Sequence, residues 1–352
     1  LVDAFKDASG SPVPVINLLL VHGMGSTDYS WIKARIAVIA PALGFTWDGT
    51  EIQPSKLKNG ALLYQVSLQD SSRRLNIGAV LWSPITAAAK ASLCFDVTSV
   101  STATPQCRLA GNKDIRAYGN ALLKNVLMDD RLSDVTFYLG RTGGQLIQDA
   151  IEDALLRALS PNGVTLDQVL SGERAIPKAE PVFLISESLG SKIVIDSLEA
   201  LELVPAASDF ADAERSHVDS LYLLANQLPI LGLGEPADSQ GRSGSYGALQ
   251  RFARKRTGRR IQEARPDTPL RIVAFSDPND VFSYQLSDSM FAPEKVVVSN
   301  VVISNATTYV GLIENPDPAH TGYIDQAKVV HAIARGSAEL AKETGAHCAP
   351  PP

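Results

Sequence analysis

Histidine and cysteine are scarce in this chain, five and three among 352 residues, and no pair of them stands at a metal-ligand spacing. No metal centre is therefore expected, and no cofactor, since no G-x-x-x-x-G-K-[ST] follows any glycine-rich turn. Positive charge is in deficit: 32 Lys and Arg stand against 38 Asp and Glu, for a net charge of −6. That balance removes the usual electrostatic basis for binding nucleic acid. Runs of eighteen or more apolar residues are absent, so no segment has the length of a membrane-crossing helix. Internal repeats are absent too. Apolar residues, by contrast, make up 45% of the chain, enough for a substantial core. The length exceeds that of a usual domain but suits a single α/β domain, residues 1–352, enlarged by insertions.

Strands alternate with helices along the chain. The run VINLLLVHG (15–23) is continuously apolar and ends in glycine, as a buried parallel strand does, and WIKARIAVIAPALG after it has helical spacing. ALLYQVSLQ and LNIGAVLWS read as two further strands. Two amphipathic helices, IRAYGNALLKNVLMDD and QLIQDAIEDALLRAL, flank DVTFYLG. VDSLYLLANQLP, LRIVAFSD and VVVSNVVIS supply later strands, and YIDQAKVVHAIARGSAEL a closing helix. This order predicts a doubly wound, mainly parallel sheet covered by helices on both faces.

One junction has little room. Val182 to Ile185 form a short buried strand, and Leu189, Ile193, Val194 and Leu198 recur at helical intervals directly after it. Ser-Glu-Ser-Leu-Gly must make the reversal. Such an elbow holds its central residue, Ser188, in strained geometry with the side chain projecting, and small neighbours let strand and helix approach. The competing reading is that Ser188 caps the helix.

Chain order bears on that choice. Functional groups of an open α/β sheet gather beyond the carboxyl ends of its strands. Ser188 follows one such end. FSDPNDVFSY follows another with Asp277 and Asp280, and NPDPAHTGY brings His320 on a loop after the last strand. An imidazole that takes a proton needs a carboxylate to fix its tautomer, and Asp277 and Asp280 are the two candidates. The other histidines are placed differently: His22 in the first strand-to-loop turn, His217 before a strand, His331 in a helix and His347 in the tail.

The S-x-S-x-G elbow, the Ser188–Asp280–His320 order and the VHGMG turn (21–25) resemble the α/β-hydrolase superfamily, in particular its lipases and esterases. Ser186 stands where that family's elbow has its first glycine. The resemblance spans roughly residues 13 to 345, with a fainter similarity to the phospholipase A1-like branch in LWSPI, LLKNVLMDDRLSDVTFYLG and SESLGSKIVIDSL. It implies an α/β-hydrolase fold, and a serine hydrolase acting on a carboxylic, lipid-like ester through an acyl-enzyme. Ser188 would be nucleophile and His320 base, with Asp280 its partner because Asn279-Asp280 before hydrophobic residues resembles the acid loop of lipases, and Asp277 the alternative. The backbone amides of Met24 and Leu189 would form the oxyanion hole, with His22 and Gly23 shaping its loop. An acyltransferase or amidase would use the same residues, and a binding protein without chemistry could keep the fold.

Two insertions are expected, 84–175 and 228–268. The second carries RFARKRTGRR, which could lie over the site as a lid and meet an anionic lipid surface, although a solvated basic face has the same composition. Cys94 and Cys107 bracket a polar loop and are expected to pair in an oxidising compartment, leaving Cys348 alone in a disordered tail, 346–352. With a first residue, Leu1, that is not methionine, this suggests a leading segment removed and a secreted or periplasmic protein, the alternative being two unrelated thiols in a cytoplasmic enzyme. Asn305-Ala306-Thr307 is a glycosylation sequon.

Overall fold

The structure is a computed structural model that describes residues 15–70, 72–93, 117–159, 164–174, 182–200, 218–234, 247–262, 269–287, 291 and 296–336. The three cysteines, His217 and the tail lie outside the described residues, so the expected bridge does too.

An eight-stranded sheet runs through the centre in the order β2-β3-β4-β1-β5-β6-β7-β8. Its strands are β1 (Val15–Val21), β2 (Ser55–Lys56), β3 (Leu62–Gln69), β4 (Arg74–Leu81), β5 (Val182–Glu187), β6 (Val218–Leu224), β7 (Leu270–Ser276) and β8 (Val296–Val302). From β4 to β8 all neighbours are parallel; β3 runs antiparallel to β4, and β2 to β3. Six strands therefore deliver their following loops to one edge. A small antiparallel pair, β9 (Thr308–Tyr309) and β10 (Ile313–Glu314), stands apart from this sheet.

The helices are α1 (Tyr29–Ala42), α2 (Pro84–Ala91), α3 (Tyr118–Leu122), α4 (Ser133–Leu139), α5 (Arg141–Leu159), α6 (Leu166–Leu170), α7 (Gly190–Ala200), α8 (Leu228–Leu231), α9 (Gly247–Gln262), α10 (Pro316–Thr321) and α11 (Ala327–Arg335). Strand alternation sends successive side chains to opposite faces, and β1 shows it plainly. Ile16, Leu18 and Leu20 join Ile32, Ile36 and Ile39 of α1 and Val329 and Ile333 of α11. Leu19 and Val21 join Ile147, Ile151 and Leu155 of α5 and Ile193 of α7. Each such side chain, fully buried, contributes about 1.5–3 kcal/mol. Helices on both faces of a mostly parallel sheet make this an α/β fold.

Much of the first expected insertion is core structure. Helix α5 fills one face of the sheet, and DVTFYLG, between the two expected helices, is itself helical as α4. A π-helical stretch, Leu123–Leu132, joins α3 to α4. In the second insertion, α9 buries Leu249, Phe252 and Ala253 in the same layer as α5 and α7, and its Arg251 pairs with Glu199 of α7. The described part of the basic segment is thus docked on the flank of the sheet.

Candidate active site

The elbow between β5 and α7 forms as the spacing predicts. Ser188 has φ 54°, a left-handed conformation that costs a non-glycine residue roughly 1–2 kcal/mol and that does not occur within a regular helix. Its amide donates to Leu224 O of β6 at 2.8 Å, which holds the strained residue in place. Two residues on, a Cβ at Gly190 would lie 2.6 Å from His22 O and 2.9 Å from Val21 O. Only glycine lets the start of α7 come so near the end of β1. Ser186 is buried, with its hydroxyl 3.4 Å from that of Ser191, and a larger residue would meet α7 there. Glu187 turns the other way and accepts from Trp31 Nε1 and from Arg35 Nε and Nη2 at 2.9–3.2 Å, fixing the elbow to α1.

Three side chains meet at the elbow. His320 Nε2 lies 2.9 Å from Ser188 Oγ, and its Nδ1 lies 2.9 and 3.0 Å from the two oxygens of Asp280. All three residues are buried. An ionised carboxylate only accepts, so the Nδ1 proton points to Asp280 and Nε2 is left to accept from the serine hydroxyl. Asp280 also accepts from the Phe282 amide at 3.0 Å and from the Tyr323 hydroxyl at 2.9 Å. Burial, and next the Asp280 charge, push the Tyr323 hydroxyl far above its usual pKa, so it stays a donor. The Phe282 ring stands edge-on to the imidazole, 5.4 Å between centroids.

Asp277, the alternative acid, is engaged elsewhere. Its oxygens accept from the Asn279 amide at 2.8 Å and the Asn305 amide at 2.6 Å, which shapes the turn after β7. His320 sits on a short helix, α10, and not on the expected loop. The signals are local: Asn315 caps the Asp317 amide, and Pro316 occupies the first helical position, where its missing N–H costs nothing.

The turn after β1 closes the other side. A Cβ at Gly23 would come within 2.7 Å of Ser188 Cβ and 2.9 Å of Glu187 O, so this loop touches the elbow through a glycine. His22 is buried, stacks on Trp82 at 4.6 Å, and accepts at Nε2 from the amides of Trp82 and Ser83 at 3.1 and 3.3 Å. Its proton is therefore on Nδ1, which donates to Gly23 O at 2.6 Å. Burial holds the His22 pKa down at about 3, so the ring stays neutral. Gly23 O and the Met24 N–H belong to one trans peptide and point in opposite directions, so this bond also orients the Met24 amide. Leu189, which follows Ser188, is fully buried, and the Met24 side chain packs against the same core.

Several participants are silent in the sequence. Tyr323 reads as a core aromatic of the closing helix. Asn305 reads as a sequon, yet its side-chain nitrogen donates to Ala319 O at 2.6 Å and joins the acid loop to the helix of His320. Glu314 of β10, buried, accepts from Asn279 Nδ2 at 2.7 Å and from the Ala306 amide at 3.0 Å. Among the described residues no cluster of three or more His, Cys, Asp or Glu could hold a metal ion, and no helix is long and apolar enough to cross a membrane. Compared with known protein families, curated proteins and solved structures, the chain matches none.

Proposed function

We propose that the protein is a serine ester hydrolase of the α/β-hydrolase type. The observation that carries this reading is the unbroken line from Ser188 Oγ through His320 to Asp280, set on a strained elbow at the carboxyl edge of a parallel sheet. His320 takes the hydroxyl proton as Ser188 attacks the ester carbonyl. The oxyanion is held by the amides of Met24 and Leu189; the alcohol leaves with the proton from His320, and water, activated by the same imidazole, deacylates the enzyme. These steps call on no group beyond the chain and water.

A lipid-like ester suits the border of the site. Leu233, beyond β6 and α8, and Val281, after β7, follow strands that end at this edge, and each is exposed by 66% or more. A contact of the basic helix α9 with anionic lipid is a finer reading, which the Arg251–Glu199 pair weakens by occupying one of the charges. Turnover of p-nitrophenyl esters tests the proposal. Ser188→Ala and His320→Ala are each expected to lower kcat by about 1000-fold or more, because such residues act as a unit, while Ser186→Ala stays mild. A Ser188→Ala enzyme with wild-type turnover would end the reading.

A further inference from the structure

The loop that would carry the Met24 amide is held from two sides, and one of them, His22, directly follows β1. The other is a charged cluster on α2, the π-helical stretch and α4. Asp134 Oδ2 accepts from the Gly25 amide at 2.7 Å, and Asp130 accepts from the Ser26 amide at 3.0 and 3.1 Å and from its hydroxyl at 2.6 Å. Lys90 Nζ bridges the two carboxylates, 2.8 Å from Asp130 and 3.0 Å from Asp134. Asp134 is fully buried, and its second oxygen has no partner among the described residues. A buried carboxylate with half its capacity unused is a costly way to make a surface turn. It gives the loop a fixed acceptor at the amide next to Met24.

Gly25 shows how close the cluster sits. Its φ is +101°, and a Cβ there would be 3.2 Å from Asp130 Oδ2. Asp130 has opposing influences on its carboxyl: burial pushes it up, and hydrogen bonds from Lys90 and Ser26 outweigh this and keep it below the usual carboxylate range. The neighbouring Arg131 pairs with Asp317 on the helix of His320, so this stretch touches both halves of the site.

We infer that Asp134 and Asp130, bridged by Lys90, are positioning residues that preset the Met24 amide for the oxyanion. The inference rests on the ester-hydrolase reading. Fixing Gly25 and Ser26 on one side and Gly23 O on the other leaves the Met24 peptide little freedom. A donor already in place when charge develops stabilises the transition state more than the bound ester.

The test measures kcat, KM and inhibition by an alkyl trifluoromethyl ketone, whose adduct with serine carries the oxyanion. Asp134→Ala is expected to lower kcat about ten- to hundredfold with KM within about twofold, and to weaken the ketone by a similar factor. Asp134→Asn keeps an acceptor for the Gly25 amide and should retain most of the activity. Asp130 is more exposed than Asp134, and Asp130→Ala carries the same split, at about three- to tenfold, if Asp134→Ala does not fold. Folded variants with unchanged kcat and ketone inhibition would overturn the positioning role, as would a change in thermal stability alone. Those outcomes in an active wild type leave the hydrolase reading standing. A wild type that neither turns over esters nor reacts with a fluorophosphonate removes both.

Discussion

At the scale of single residues, two aspartates that the sequence leaves as alternatives have different partners. Asp280 faces the imidazole and Asp277 holds the turn, so Asp280→Asn is expected to cost kcat far more than Asp277→Asn, whose penalty should fall mainly on stability. Steady-state kinetics and thermal melts on both variants make the comparison, and the reverse ranking would reassign the acid. Tyr323→Phe removes one donor from Asp280 and the acceptor of the Asp277 amide, a loss of about 1–3 kcal/mol in stability with a smaller fall in kcat. Ser188 and His320 were legible because each stands after a strand end. Tyr323 was not, since a buried tyrosine in an apolar helix pattern looks the same whether its hydroxyl meets a carboxylate or a stray carbonyl.

Among the elements, β1, β5 and α7 were legible for a physical reason: strands buried on both faces have few apolar sequences open to them, and the tight elbow demands small residues. The antiparallel pairing of β2, β3 and β4 was not, because pairing direction depends on the partner strand and the connecting turn, and here Asp70 accepts from the Ser72 and Arg73 amides at that turn. The β9–β10 pair also escaped, since it has no apolar period of its own, and the stretch Leu123–Leu132 reads as an ordinary amphipathic helix whose π winding leaves no mark in the sequence. Gly23→Ala drives a methyl group against Ser188 Cβ and Glu187 O, and the first-strand loop must retreat from the elbow. Ester turnover is expected to fall about 100-fold or more while the far-ultraviolet spectrum stays that of the wild type. Activity within threefold of wild type would show that the loop has no part in the chemistry.

Over the whole molecule, two buried groups tie stability to pH with opposite signs. Burial, with Asp149 adding, raises Glu152 of α5 to about 8, so the folded chain holds a proton that the unfolded chain has lost. Its contribution is fully present below about pH 4.5 and is lost as pH rises through 8, at up to about 1.4 kcal/mol per unit. His22, lowered to about 3, contributes above about pH 6.5 and loses its share as pH falls towards 3. Urea unfolding at pH 5 and pH 9 should therefore show Glu152→Gln gaining on the wild type as pH rises; parallel curves would mean that Glu152 is ionised in the fold. The α/β sheet supplies the frame for all of this, and on the proposed reading its carboxyl edge carries an activated serine. Reaction of the intact protein with a fluorophosphonate, followed by peptide mass mapping, reads out that serine. A single adduct on Ser188 is expected, forming quickly in the wild type and slowly or not at all in His320→Ala; an unmodified Ser188, or labelling indifferent to His320, would rule the activated serine out.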